Sequence, residues 1–181
     1  MAVIVSLLRG VNVGGHNMIK MDSLRKLYES LGLHDVQTYV QSGNVVFRTN
    51  EKNLIQLSKR IEEAIERSFG FRPGVIVRTA AELAGVIARN PFSTRKDIHP
   101  GKLLVIFLGE SLDSKAQDEI GRIKAGAEEV CIDGRELYIY FPDGMGRSKL
   151  PALLEKTLKK SGTGRNWNSV TRLLEMARKL E

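Results

Sequence analysis

This sequence of 181 residues has one cysteine, three histidines and few aromatics, which make up 6% of the chain. Cys131 alone cannot close an internal disulfide, so the core must hold the fold and a reducing cytoplasm is the expected compartment. His16, His34 and His99 are scattered, with no HxxxH, HExxH or CxxC spacing, so the fold would have to assemble any metal site from distant residues. Long apolar runs are absent. The longest, Leu103 to Leu108, is far short of the roughly 20 residues of a membrane span, and no membrane integration is expected. Met1 leads into a short apolar run with no basic leader and no small-residue cleavage site, so no secretory signal is expected.

What is present is a soluble globular composition, 42% hydrophobic and 27% charged. A chain of this size buries roughly 70% of its unfolded surface and can build a core unaided. The net charge is +7, with a pI near 9.6, and it is unevenly spread. Residues 1–97 carry +5, residues 98–146 carry −4 and residues 147–181 carry +6. Clustered Lys and Arg are a footprint of phosphate or nucleic-acid binding, and equally of a lysine-rich solvated surface.

Hydrophobic spacing predicts the elements. Residues 2–8 are β-branched and nearly continuous, as in a strand covered on both faces. Leu24, Leu27, Tyr28 and Leu31 share one helical face, stopped at Gly32. Val36, Thr38 and Val40 alternate with polar residues, turn through Gln41-Ser42-Gly43-Asn44 and return at Val45-Val46-Phe47 as a hairpin. A helix capped at Asn50 carries Leu54, Leu57, Ile61, Ile65 and Phe69, and strand 75–78 closes the unit. Thr79 and Glu82 form a capping box for a helix stopped at Asn90-Pro91. The second half repeats the order: strand 102–108, a helix with Ala116, Ile120 and Ile123, a hairpin around Asp133-Gly134, and a helix with Leu150, Leu153, Leu154 and Leu158. A last helix follows Arg165-Asn166-Trp167-Asn168. The expected fold is therefore α+β, two ferredoxin-like (split βαβ) subdomains with antiparallel hairpins plus a C-terminal helix. Residues 1–95 form the first subdomain and residues 100–181 the second, with a linker over 90–101.

Three polar segments interrupt this packing pattern. Strand one runs into Arg9-Gly10-Val11-Asn12-Val13-Gly14-Gly15-His16-Asn17. Its glycines at 10 and 15 have Walker A spacing, but His16 and Asn17 stand where that loop needs Lys and Ser or Thr, and the dinucleotide pattern G-x-G-x-x-G does not fit. The glycines either let a ligand approach the backbone beside Arg9 and Asn12, or only satisfy positive φ. The second segment, Asp143 to Lys149, precedes a helix. Arg147, Ser148 and Lys149 there can hold an anion with the first-turn amides, or Ser148 is only a cap. In the third, Trp167 suits a core position better than a base-stacking platform, while Arg165, Asn166 and Asn168 are harder to assign to packing. His16 is the one catalytic candidate, as a general acid or base. No motif names a cofactor.

The segments Leu7 to Gly15, Gln41 to Phe47, Asn90-Pro91-Phe92, Gly146 to Lys149 and Arg165 to Asn168 resemble, in order, domain-of-unknown-function family sixteen-ninety-seven, a mainly bacterial family. The resemblance implies the same two-subdomain α+β fold. It marks motif positions Arg9, Asn12, Gly14, Gly15, Ser42, Gly43, Asn44, Arg147, Ser148, Lys149, Arg165, Asn166, Trp167 and Asn168 without assigning them roles. The expected function is cytoplasmic binding of a phosphate-bearing ligand, a nucleotide or nucleic acid. The alternatives are a transferase or hydrolase acting on a phosphorylated small molecule and a protein-interaction scaffold.

Overall fold

The computed structural model describes all of residues 1–181. Strand β1 (Ala2–Leu8) leads through a long loop to helix α1 (Met21–Ser30). The hairpin β2 (His34–Tyr39) and β3 (Asn44–Thr49) follows, then α2 (Leu54–Phe69), β4 (Val75–Thr79) and α3 (Ala80–Ala88). After a short 3-10 turn at Pro100–Lys102, the order recurs as β5 (Leu103–Leu108), α4 (Ser114–Gly121), β6 (Glu129–Asp133), β7 (Glu136–Tyr140), α5 (Leu150–Leu158), β8 (Gly162–Asn166) and α6 (Trp167–Leu180).

Two antiparallel sheets result, ordered β2-β3-β1-β4 and β6-β7-β5-β8, the split βαβ arrangement in both. The contacts divide the chain into two compact units. One holds residues 1–85 with 172–181, and the other holds residues 86–171, so each division falls inside a helix, α3 or α6.

In the first unit, one sheet face supplies Ile4, Leu8, Val45 and Phe47 to a core with Leu24 and Tyr28 of α1 and Leu57, Ile61 and Ile65 of α2. Successive strand side chains point to opposite faces, and Val3, Val5, Leu7 and Val46 on the other face are buried as well. That double burial explains the unbroken apolar run of β1. In the second unit, Leu108, Leu137, Ile139 and Phe141 pack with Ile120 of α4 and Leu150, Leu154 and Leu158 of α5.

The local signals hold with specific exceptions. Thr79 and Glu82 form the reciprocal capping box of α3, at 2.8 and 3.0 Å. Gly70 ends α2 in the left-handed region. The cap of α2 is Asn53, whose Oδ1 accepts from the Gln56 amide at 3.0 Å, rather than Asn50, because the chain stays extended for three residues longer. The second hairpin turns on Gly134-Arg135, with Asp133 paired to Glu136, one residue beyond the expected pair. Strand β8 is an addition: Gly162-Thr-Gly-Arg-Asn166 lacks strand propensity, yet it pairs along β5. Each closing strand holds a buried arginine, Arg78 opposite Val5 and Arg165 opposite Val105. Each of these donates from Nη1 to the carbonyl just before it, at 3.0 and 2.9 Å.

Candidate functional site

In the first unit the loop after β1 is a miniature hairpin. Asn12 N donates to Asn17 O at 3.1 Å and His16 N to Val13 O at 3.0 Å, with Gly14 and Gly15 as the turn. Both glycines have positive φ, 58° and 77°, which a tight two-residue turn of this hand requires. Asn12, itself at φ 57°, clamps the loop. Its Oδ1 accepts from Ile19 N at 2.7 Å, and its Nδ2 donates to Ile19 O at 3.0 Å and to Gln41 O at 2.7 Å. The last bond ties loop 9–20 to the turn 40–43, so the two form one surface. Asn17 Nδ2 adds a bond to Gly10 O at 3.2 Å.

The 40–43 turn is seated by contacts that leave little freedom. Leu8 N donates to Gly43 O at 2.9 Å, and a Cβ at Gly43 would lie 2.8 Å from Leu8 Cβ at φ +83°. Only glycine fits there. Asn44 is fully buried and donates to Tyr39 O and to Ser42 Oγ, both at 2.9 Å. Arg9 N bonds Gly74 O at 2.8 Å, anchoring the loop beside β4. The structure thus gathers Arg9, Asn12, Gly14, Gly15 and His16 with Ser42, Gly43 and Asn44. Asn12, Gly43 and Asn44 build the surface, while the tip residues Gly14, Gly15 and His16 are exposed on it.

Lys20, which no sequence motif marks, ends the same loop. It is exposed, stands at the N-cap of α1 and gives that helix no side-chain cap, and Asp22 lies in the first turn that follows. Its signal was the segment 9–20 itself, which contains cations and no carboxylate.

The second unit holds the other two segments. In loop 143–149, Gly144 N bonds Phe141 O at 2.9 Å and Ser148 N bonds Met145 O at 3.1 Å. Ser148 Oγ accepts from Leu150 N at 3.1 Å, at the first residue of α5, but Lys149 holds the N-cap position; the same hydroxyl is also hydrogen-bonded to Glu128 Oε1. The serine hydroxyl is therefore already engaged by a carboxylate. Glu128 Oε2 is buried without a partner beside a concavity of about 170 Å³ lined by Ile120, Ile123, Val130 and Ile132. Arg147 and Lys149 remain exposed.

At the last motif Arg165 is buried in β8. Its Nη1 donates to Thr163 Oγ1 at 2.8 Å, and burial pushes its guanidinium down to about 10. Asn166 Oδ1 accepts from Ser169 N at 2.9 Å and so caps α6. Trp167 is half-buried at the first position of that helix, and Asn168 is exposed beside it.

No helix is long and apolar enough to cross a membrane. No curated protein matches the sequence. A solved structure, described as the structure of conserved bacterial protein SP0830 from Streptococcus pneumoniae, superposes with a TM-score of 0.74. It covers 97% of this chain and 98% of its own at 20% identity, a likeness of fold. A family model described as "Protein of unknown function (DUF1697)" matches residues 1–138, carrying the first glycine loop and the 40–43 turn, and the chain belongs to that family.

Proposed function

We propose that the chain binds a phosphate-bearing ligand, a nucleotide or nucleic-acid segment, on the surface made by loops 9–20 and 40–43. One observation carries the reading. Asn12 does the internal hydrogen bonding that shapes this surface, and Gly14, Gly15, His16 and Lys20 are exposed on it. Neither segment contains a carboxylate, and the nearest acid in sequence to Lys20 is Asp22, exposed in the first turn of α1. Many arginines elsewhere are taken up by acids, among them Arg25, Arg48, Arg72, Arg89, Arg95 and Arg172. A cation beside an exposed glycine turn is the kind of surface a phosphate group recognises. In the second unit Arg147 and Lys149 are also exposed cations ahead of α5, but Ser148 between them is bonded to the Glu128 carboxylate.

The test is a titration of the wild type and the Lys20→Ala, Arg147→Ala and Lys149→Ala variants with inorganic phosphate, a nucleotide panel and a labelled oligonucleotide at two salt concentrations. A true phosphate contact, when removed, should cost about 1.5–3 kcal/mol, a loss of roughly tenfold or more in affinity. Binding that is weak and identical in every variant would overturn the reading and leave a solvated basic surface.

A further inference from the structure

The same surface carries side chains that a phosphate has no use for. The exposed large hydrophobic residues of the chain are Met1, Val13, Met18, Val40 and Ile55, and three of them lie on the two tied loops. Val13 and Met18 are each 63% exposed on loop 9–20, and Val40 is 48% exposed at the start of the 40–43 turn. The Asn12 bond to Gln41 O holds the loops together at 2.7 Å, so these side chains are presented by a preformed tip.

Val40 shows that their presence has a cost. It sits at φ +50°, a left-handed conformation that crowds a branched Cβ and that glycine or asparagine adopts readily. A β-branched apolar residue held there, half in solvent, is unfavourable for the free protein and calls for a use of the side chain.

Charge and area narrow that use. The flanking groups are His16 and Lys20, with no carboxylate in residues 9–20 or 36–47; of the next acids along the chain, Asp35 is paired to Arg48 and Asp22 lies in the first turn of α1, a balance that favours an anionic partner. Three partly exposed side chains fall well short of the roughly 800 Å² per side of a stable protein interface. A nucleic acid with unstacked bases offers both chemistries within that small footprint, phosphates for the cations and apolar base faces for the wedge. We infer that Val13, Met18 and Val40 pack against the bases of a single-stranded or locally opened polynucleotide while Lys20 and His16 meet its phosphates. This rests on the phosphate reading of the same surface and names its ligand class.

The experiment uses the full chain and a short fluorescently labelled single strand, with the matching duplex as comparison, followed by anisotropy over a range of salt. The single strand should bind more tightly than the duplex. Val13→Ser and Met18→Gln should each weaken it roughly three- to tenfold without changing the salt dependence. Lys20→Ala should instead lower the slope of log affinity against log salt by about 0.7. Val40→Asn should weaken binding while holding or raising the melting temperature, a combination that a merely structural residue does not give. If the three apolar variants bind like wild type, or the duplex binds as well as the single strand, the wedge is overturned. A Lys20→Ala effect surviving in that case leaves the phosphate reading standing. Failure of oligonucleotide, nucleotide and inorganic phosphate alike removes both.

Discussion

The Tyr28 hydroxyl lies 2.8 Å from Ser6 Oγ, with both side chains fully buried between α1 and the sheet. Burial raises this phenol's ionisation well above the ordinary range, against a smaller opposing effect of the serine bond. Tyr138, which donates to Val86 O at 2.6 Å, is pushed up to about 12, chiefly by burial. In an unfolded chain a tyrosine ionises near pH 10. Above that pH the unfolded state gives up protons that the native state keeps, so stability should fall as pH rises, by at most about 1.4 kcal/mol per pH unit for each tyrosine. Near neutral pH neither tyrosine contributes to any slope. Urea denaturation at neutral pH and above pH 10 checks this. Tyr28→Phe should flatten its share of the alkaline slope and cost about 1–3 kcal/mol at neutral pH, from the stranded Ser6 hydroxyl. An alkaline slope unchanged in that variant would sink the assignment. The sequence marks Tyr28 as a core-facing helix residue, but nothing in it says that Ser6 is the partner. Asn12 and Asn44 are similar: the motif made them visible, yet their roles depend on which carbonyls the fold brings near.

Strand β8 shows the same division at the scale of an element. Periodicity found the other seven strands, because their side chains carry the alternation or apolar continuity that burial demands, although Val40, read as part of β2, lies beyond it, exposed in the turn. Residues 162–166 carry neither, and the reason lies on the neighbouring strand. A Cβ at Gly162 would come within 2.7 Å of Ile106 Cγ2, and one at Gly164 within 3.3 Å of Leu104 Cδ1. Glycine here serves the close approach to branched residues of β5, a requirement written in β5 rather than in β8. Gly162→Ala should therefore destabilise the chain by about 1–3 kcal/mol through overpacking, although glycine in a strand is ordinarily a liability. A chemical denaturation midpoint measures this. A stabilised variant would mean that β8 is free to move away from β5. The caps divide in the same way. The box at Thr79 and Glu82 was legible from spacing, whereas Asn53 could be told from Asn50 only by where the extended chain ended.

Across the whole molecule, the repeated order of elements was legible because it is a pattern of periods and turns. The composition of the two compact units was not, because the segment 172–181 joins residues 1–85 through contacts distant in sequence. Leu173, Leu174, Met176 and Ala177 of that segment are buried. Burying one large apolar side chain is worth about 1.5–3 kcal/mol, so removing all of them takes away an amount comparable with a domain's net stability of about 5–15 kcal/mol. A chain ending at Thr171 should lose hydrogen-exchange protection across residues 1–85 while residues 86–171 keep theirs. Equal protection in the shortened and full-length proteins would show that α6 is dispensable to the first unit.

The same arrangement sets an order of events during synthesis. Residues 1–85 are synthesised before any of residues 86–171, yet the segment that closes their unit, residues 172–181, follows both in the chain. Until residues 172–181 have been made and have docked, apolar surface of the first unit that they cover stays open to chaperones and to neighbouring chains.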